Sequence, residues 1–120
     1  MKNEELENKL RKEFAYMKFG DNYFDRVMLS DFKFAKGNAV AIYTRAYETY
    51  SPGLDQTYSG LVFTDGKKSS RILYNRVFDS AGKMFGPYED NDNLIKKILS
   101  FDGEIVKYKV ESGKDKEVRV

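Results

Sequence analysis

The chain has 120 residues, with 21 Lys and Arg against 19 Asp and Glu for a formal charge of +2, and holds 0 His, 0 Cys and 0 Trp beside 9 Tyr and 9 Phe. Without His or Cys it lacks the residue types that build most metal sites, nucleophile–base pairs and redox centres, and it can form no disulfide framework. The even charge excludes an acidic nucleic-acid mimic and is too weak for a protein that holds duplex DNA by counterion release alone.

The first segment carries a helical period. Leu6, Leu10, Phe14 and Met17 fall at steps of four, four and three, which makes one apolar stripe. Glu4, Glu5 and Glu7 crowd its start while Lys9, Arg11 and Lys12 follow, an order that suits the helix dipole. Glu5–Lys9 and Glu7–Arg11 are oriented i,i+4 pairs, and Gly20 is the expected stop.

From Tyr23 onward the period changes to two. Four extended runs, Tyr23–Phe34, Ala39–Tyr50, Gln56–Thr64 and Ser70–Phe78, are separated by turn residues, of which Asp65-Gly66 is the strongest hairpin signal. Short connections make successive strands antiparallel neighbours. In the first run Val27 and Leu29 share one parity and Phe32 and Phe34 the other, so a bulge near Ser30-Asp31 is needed to keep all four on the core side. Ala81–Tyr88 reads as a loop or short edge strand, since Gly86-Pro87 cannot sit inside a sheet. Leu94, Ile95, Ile98 and Leu99 then form the apolar face of a second short helix that Gly103 ends. Two last strands, Glu104–Val110 and Glu117–Val120, complete the chain.

The expected fold is therefore a single α+β domain over residues 1–120. An N-terminal helix lies across a twisted antiparallel meander of five or six strands, with a short second helix near the C-terminal end. Leu6, Leu10, Phe14, Val27, Leu29, Val40, Ile42, Val62, Ile98, Leu99 and Val106 are its expected core.

Two constellations could carry binding. Tyr43, Arg45 and Tyr47 are spaced by two and project from one face of a strand, with Tyr50 and Tyr58 close by. Rings alternating with a guanidinium are what a stacking platform for nucleotides or single-stranded nucleic acid requires, and Arg71, Arg76, Lys107 and Lys109 would add charge if their strands lay adjacent. Cross-strand Tyr packing explains the same residues without a ligand. The second constellation is Met84, Phe85 and Tyr88 on the Gly/Pro loop, apolar side chains either tucked into the core or shown to a protein partner.

Other chemistry finds little support. Asp90 and Asp92 mimic the first positions of a calcium loop, but Leu94 and Ile95 occupy the fifth and sixth, so the match fails and helix capping suffices. Gly82 and Gly86 have the wrong spacing for a phosphate loop. Catalysis would have to rest on carboxylates, Tyr, Lys or Ser, and candidates such as Glu48, Asp55 or Asp79 have no paired motif around them.

The leading functional expectation is a small non-catalytic binding protein, needing no cofactor or metal, that occupies a protein or ribonucleoprotein partner as an inhibitor, antagonist or immunity protein would. Its Lys, Asn, Tyr, Phe and Ile content reflects AT-rich codons and suits an accessory protein of a phage or mobile element. A nucleotide- or single-strand-binding protein using Tyr43, Arg45, Tyr47 and Arg71 is the alternative, and a carboxylate-based hydrolase is third. With no apolar leader read at Met1-Lys2-Asn3 and no run of ~20 apolar residues, a cytoplasmic place without membrane contact is expected. An exposed edge ending in Val118-Arg119-Val120 raises homo-oligomer formation as a further expectation.

Overall fold

Among the described residues, apolar periodicity and turn chemistry together produce one helix and seven strands. They are α1 (Asn3–Phe14), β1 (Phe24–Ala35), β2 (Asn38–Glu48), β3 (Gln56–Thr64), β4 (Ser69–Phe78), β5 (Ile95–Phe101), β6 (Ile105–Val110) and β7 (Asp115–Arg119). This computed structural model describes the backbone of residues 2–14, 24–48, 56–78 and 94–120. It describes side chains for all of these except the strand-end residues 24–26, 46–48, 56–58 and 74–78.

The α+β class holds, but the single meander does not. The strands divide into a four-stranded sheet of order β1-β2-β3-β4 and a three-stranded sheet of order β5-β6-β7, both antiparallel. α1 packs across the first sheet and touches all four of its strands. Leu6, Leu10 and Phe14 are its buried stripe and meet Leu29, Ala39, Ala41, Tyr43 and Val62. Burying each large side chain of this stripe contributes roughly 1.5–3 kcal/mol. On the helix surface Glu7 pairs with Arg11 at 3.6 Å as expected, whereas Lys9 turns forward to Glu13 at 3.9 Å instead of back to Glu5. Met17 and Gly20 lie outside the described residues.

The second sheet covers the other face of the first. Val40, Ile42 and Leu61 pack there against Ile95, Ile98, Val106, Tyr108 and Val110. β2 is thus buried on both sides, which is why Ala39 to Tyr43 reads as an unbroken run of buried residues rather than an alternation. The layers run helix, sheet, sheet.

Bulges make this layering work. The ladder between β1 and β2 slips between Ser30 and Lys33, where Asp31 adopts φ 57°. Leu29 is buried, and Val27, Phe32 and Phe34 all pack against the same core, as the phase change required. The extra residue is not idle. Asp31 leaves the helix side, pairs with Lys33 Nζ at 2.9 Å, and accepts the backbone N–H of Ile98 from the second sheet. Asn38 adds a second tie, its Nδ2 donating to Gly103 O at 3.0 Å.

The segment expected to be a second helix is β5. Its ladder with β6 slips twice, between Ile95 and Lys97 and between Ile98 and Ser100. Each slip inserts one residue, so Ile95 and Ile98 both point inward at a spacing of three, and a bulged strand imitates a helical period. Gly103 is correspondingly a hairpin residue with φ 101°, not a helix stop. The expected core residues are buried with two exceptions: Val27 is half-buried, and Leu99, on the outward side of β5, is 40% exposed.

Candidate functional site

The two constellations read from sequence meet different ends. Tyr43 has no exposed surface. Its ring takes the edge of Phe14 at 6.2 Å between centroids, and the Arg71 guanidinium sits 5.7 Å from its centre. As folded, this ring belongs to the packing under α1 and offers no face to a base. Arg45 follows it on β2 and is also buried, whereas Arg71 on β4 is exposed. Tyr47 belongs to β2, paired with Asp25 and Gln56, but its side chain is outside the described set. Lys107 and Lys109 do not join Arg71. They stand on β6, in the layer on the far side of the first sheet from α1. Met84, Phe85 and Tyr88 lie outside the described residues, as do Asp90 and Asp92.

What the structure does set out is a sheet face with nothing packed on it among the described residues. The inner positions of β6, Val106, Tyr108 and Val110, enter the core, so strand alternation puts Ile105, Lys107 and Lys109 on the outer side. Across the ladders stand Lys97 opposite Lys109, Ser100 opposite Lys107, Asp115 opposite Lys109, and Glu117 opposite Lys107. The bulges in β5 leave Lys96 and Leu99 exposed beside them. Lys109 is bridged to Asp115 at 3.1 Å, and at the end of the face Arg119 meets Glu104 at 3.3 Å. Among the described residues Lys96, Lys97 and Lys107 have no ion pair. Leu99, Lys107, Asp115, Lys116 and Glu117 line a shallow depression of about 180 Å³ on this face. Below it Tyr108 points inward, and burial pushes its phenol above the ordinary value.

Sequence reading missed this face because it assigned residues 94–99 to a helix. In that assignment Leu99 is core and Lys97 faces solvent alone. The available signal was the Asp102-Gly103 pair, which has the same chemistry as Asp65-Gly66. In both turns an Asp carboxylate accepts two backbone N–H groups, from Lys67 and Lys68 at 2.8 Å in one and from Glu104 and Ile105 at 2.8 and 2.7 Å in the other. A hairpin at Asp102 demands a strand before it.

Other chemistries find no purchase among the described residues. They contain no group of three or more His, Cys, Asp or Glu placed to hold a metal ion, and no helix long and apolar enough to cross a membrane. Val118 and Val120, the apolar residues of the terminal edge, pack against the second core, so β7 shows solvent mainly charged side chains. Comparison with protein-family models, with curated proteins and with solved structures finds no match, so the function is argued from this surface alone.

Proposed function

We propose that this chain is a small non-catalytic binding protein that acts by occupying the surface of a macromolecular partner, in the manner of an inhibitor, antagonist or immunity protein. The observation that carries this reading is the open face of β5-β6-β7. Among the described residues the three-stranded sheet has one side in the core and nothing packed on the other, with Leu99 exposed beside Lys96, Lys97 and Lys107, which have no ion pair there. Exposed apolar side chains set in a charged surround are the ordinary makings of a protein contact. A sheet face needs no pocket to bind another protein.

The reading is tested by photo-crosslinking. The full chain is prepared with a photoreactive residue at Leu99 or at Phe85, irradiated in extract of its source cells, and the adduct is identified by mass spectrometry and rebuilt from purified components. The reading requires a discrete partner that forms a stoichiometric complex after purification. If no partner survives reconstitution while the chain hydrolyses a phosphodiester or glycoside, the carboxylate-based reading takes its place.

A further inference from the structure

Lys97 and Lys109 stand directly opposite each other on neighbouring strands. Side chains in that relation lie roughly 5 Å apart at Cβ, where like charges repel and destabilise the pair. Of these two, among the described residues, only Lys109 has an ion pair, with Asp115. Lys107 follows one pleat along, and Lys96 is thrown outward by the bulge beside Lys97. Signs alternate between β6 and β7, where Glu117 stands opposite Lys107 and Asp115 opposite Lys109, but not between β5 and β6. Like charges set opposite each other at Lys97–Lys109, with no acid beside Lys97 among the described residues, point to something outside the chain that supplies the missing charge.

We propose that the β5–β6 side of this face docks an acidic segment of a partner protein, with Lys96, Lys97 and Lys107 meeting its carboxylates and an aliphatic side chain of the segment resting on Leu99. This rests on the binding reading above and names the chemistry of the partner. Three features select a peptide segment over other polyanions. The described residues of the face include no aromatic ring, so nothing there stacks a base. Asp115 and Glu117 on β7 confine the positive strip to two strands, roughly 10 Å across. A duplex or an anionic bilayer is broader than that and would press its phosphates onto those carboxylates. One extended chain or one helix face fits the strip. Leu99, 40% exposed beside the lysines, gives the contact an apolar centre that a purely electrostatic surface does not need.

The experiment uses the full chain and a fluorescein-labelled peptide of alternating Asp and Glu with one central Leu, read by anisotropy. The expected result is binding that weakens as salt rises, since exposed charges are screened beyond about 10 Å at 0.1 M. The double variant Lys97→Glu/Lys107→Glu should weaken it at least about tenfold, because like-charge contacts replace attractive ones. Leu99→Ser should weaken it by about threefold or more, as loss of an apolar anchor does. The control Lys67→Glu/Lys68→Glu, on the β3–β4 turn, should change it less than about twofold. All of these side chains are exposed, and the gain of Lys97→Glu against Lys109 offsets the loss of Lys107→Glu against Glu117, so the variants should melt close to the parent. The inference is overturned by absent peptide binding, by a control as damaging as the test pair, or by a thymidine oligonucleotide or phosphatidylserine vesicles displacing the peptide at equal charge. A reconstituted partner that crosslinks but ignores the Lys97/Lys107 pair sinks this inference and spares the binding reading. Failure of every crosslink removes both.

Discussion

Two hydroxyls on β3 show how far single polar atoms decide local stability. Ser59 Oγ is buried and has no hydrogen-bond partner among the described residues. Thr64 is equally buried, but its Oγ1 donates to Lys68 O at 2.8 Å and accepts from Gly66 N at 3.1 Å, closing the β3–β4 turn. Removing an unsatisfied hydroxyl relieves a desolvation cost, whereas removing a satisfied one leaves its partners stranded. Ser59→Ala is therefore expected to be neutral or to stabilise by up to ~1–3 kcal/mol, and Thr64→Val to destabilise by a similar amount, in urea unfolding. Loss of stability in the Ser59 variant would show that its hydroxyl is satisfied after all. The twin aspartates give a pH signature. Backbone N–H groups of Lys68 and Lys67 hold Asp65 below the usual carboxylate range, and those of Ile105 and Glu104 do the same for Asp102. A folded-state value below the unfolded one means the turn prefers the carboxylate. Its contribution is complete above about 3.9, the unfolded value, and is lost as pH falls through the lower folded value. Asp65→Asn/Asp102→Asn should flatten the acid limb of stability against pH; limbs of equal slope in parent and variant would refute the assignment.

At the scale of elements, the bulge in β1 joins the two sheets. Asp31 exists as an extra residue only because Val27, Leu29, Phe32 and Phe34 must all face α1, and the turned-out carboxylate then takes the Ile98 N–H. Asp31→Ala removes the acceptor and leaves a non-glycine residue at positive φ, so it should cost ~2–4 kcal/mol in chemical denaturation. Asp31→Asn keeps an acceptor and a residue tolerant of that φ, so it should retain most of the stability. A Lys33→Met variant, which loses only the exposed side of the pair, should change stability by less than ~1 kcal/mol. Equal losses in the Ala and Asn variants would show that the contact between the sheets contributes nothing. This element also marks what sequence could and could not disclose. The phase change at Ser30-Asp31 was legible because strand parity is strict, and the α1 stripe was legible because Leu6, Leu10 and Phe14 share one helical face. β5 was not, since two bulges reset its parity and Ile95 and Ile98 took a helical spacing. The second sheet vanished with it. So did the burial of Tyr43: under a single covering layer Val40 and Ile42 claim the covered side of β2, whereas α1 and the second sheet cover both sides. The candidate face went unread for the same reason: Lys97 and Lys107 are far apart in sequence, and only the β5–β6 ladder brings them together.

For the molecule as a whole, the decisive fact is that one strand serves two cores. β2 gives Ala39, Ala41 and Tyr43 to the helix side and Val40 and Ile42 to the second sheet. Unfolding either layer exposes one face of a strand whose other face is still packed, so neither layer gains by leaving first. The Asp31–Ile98 contact at the β1 bulge and the Asn38–Gly103 contact at the hairpin turns bind the layers further. A small chain built this way should unfold in one cooperative step. Leu10→Ala, buried wholly in the helix-side core, should cost ~2–5 kcal/mol. The loss should register equally at amides of β2 and at amides of β6, which touches only the other core. Native-state hydrogen exchange separates the outcomes, because amides that open only globally report the same free energy wherever they sit. If the Leu10 variant accelerates β2 and β6 amides alike, the two cores form one cooperative unit, and Leu99→Ala, on the exposed face, should change neither by more than ~0.5 kcal/mol. If β6 exchange is untouched while the α1 and β2 amides open, the second sheet is an independent layer. Its Lys-rich outer face would then have to be understood as the surface of a separate folding unit.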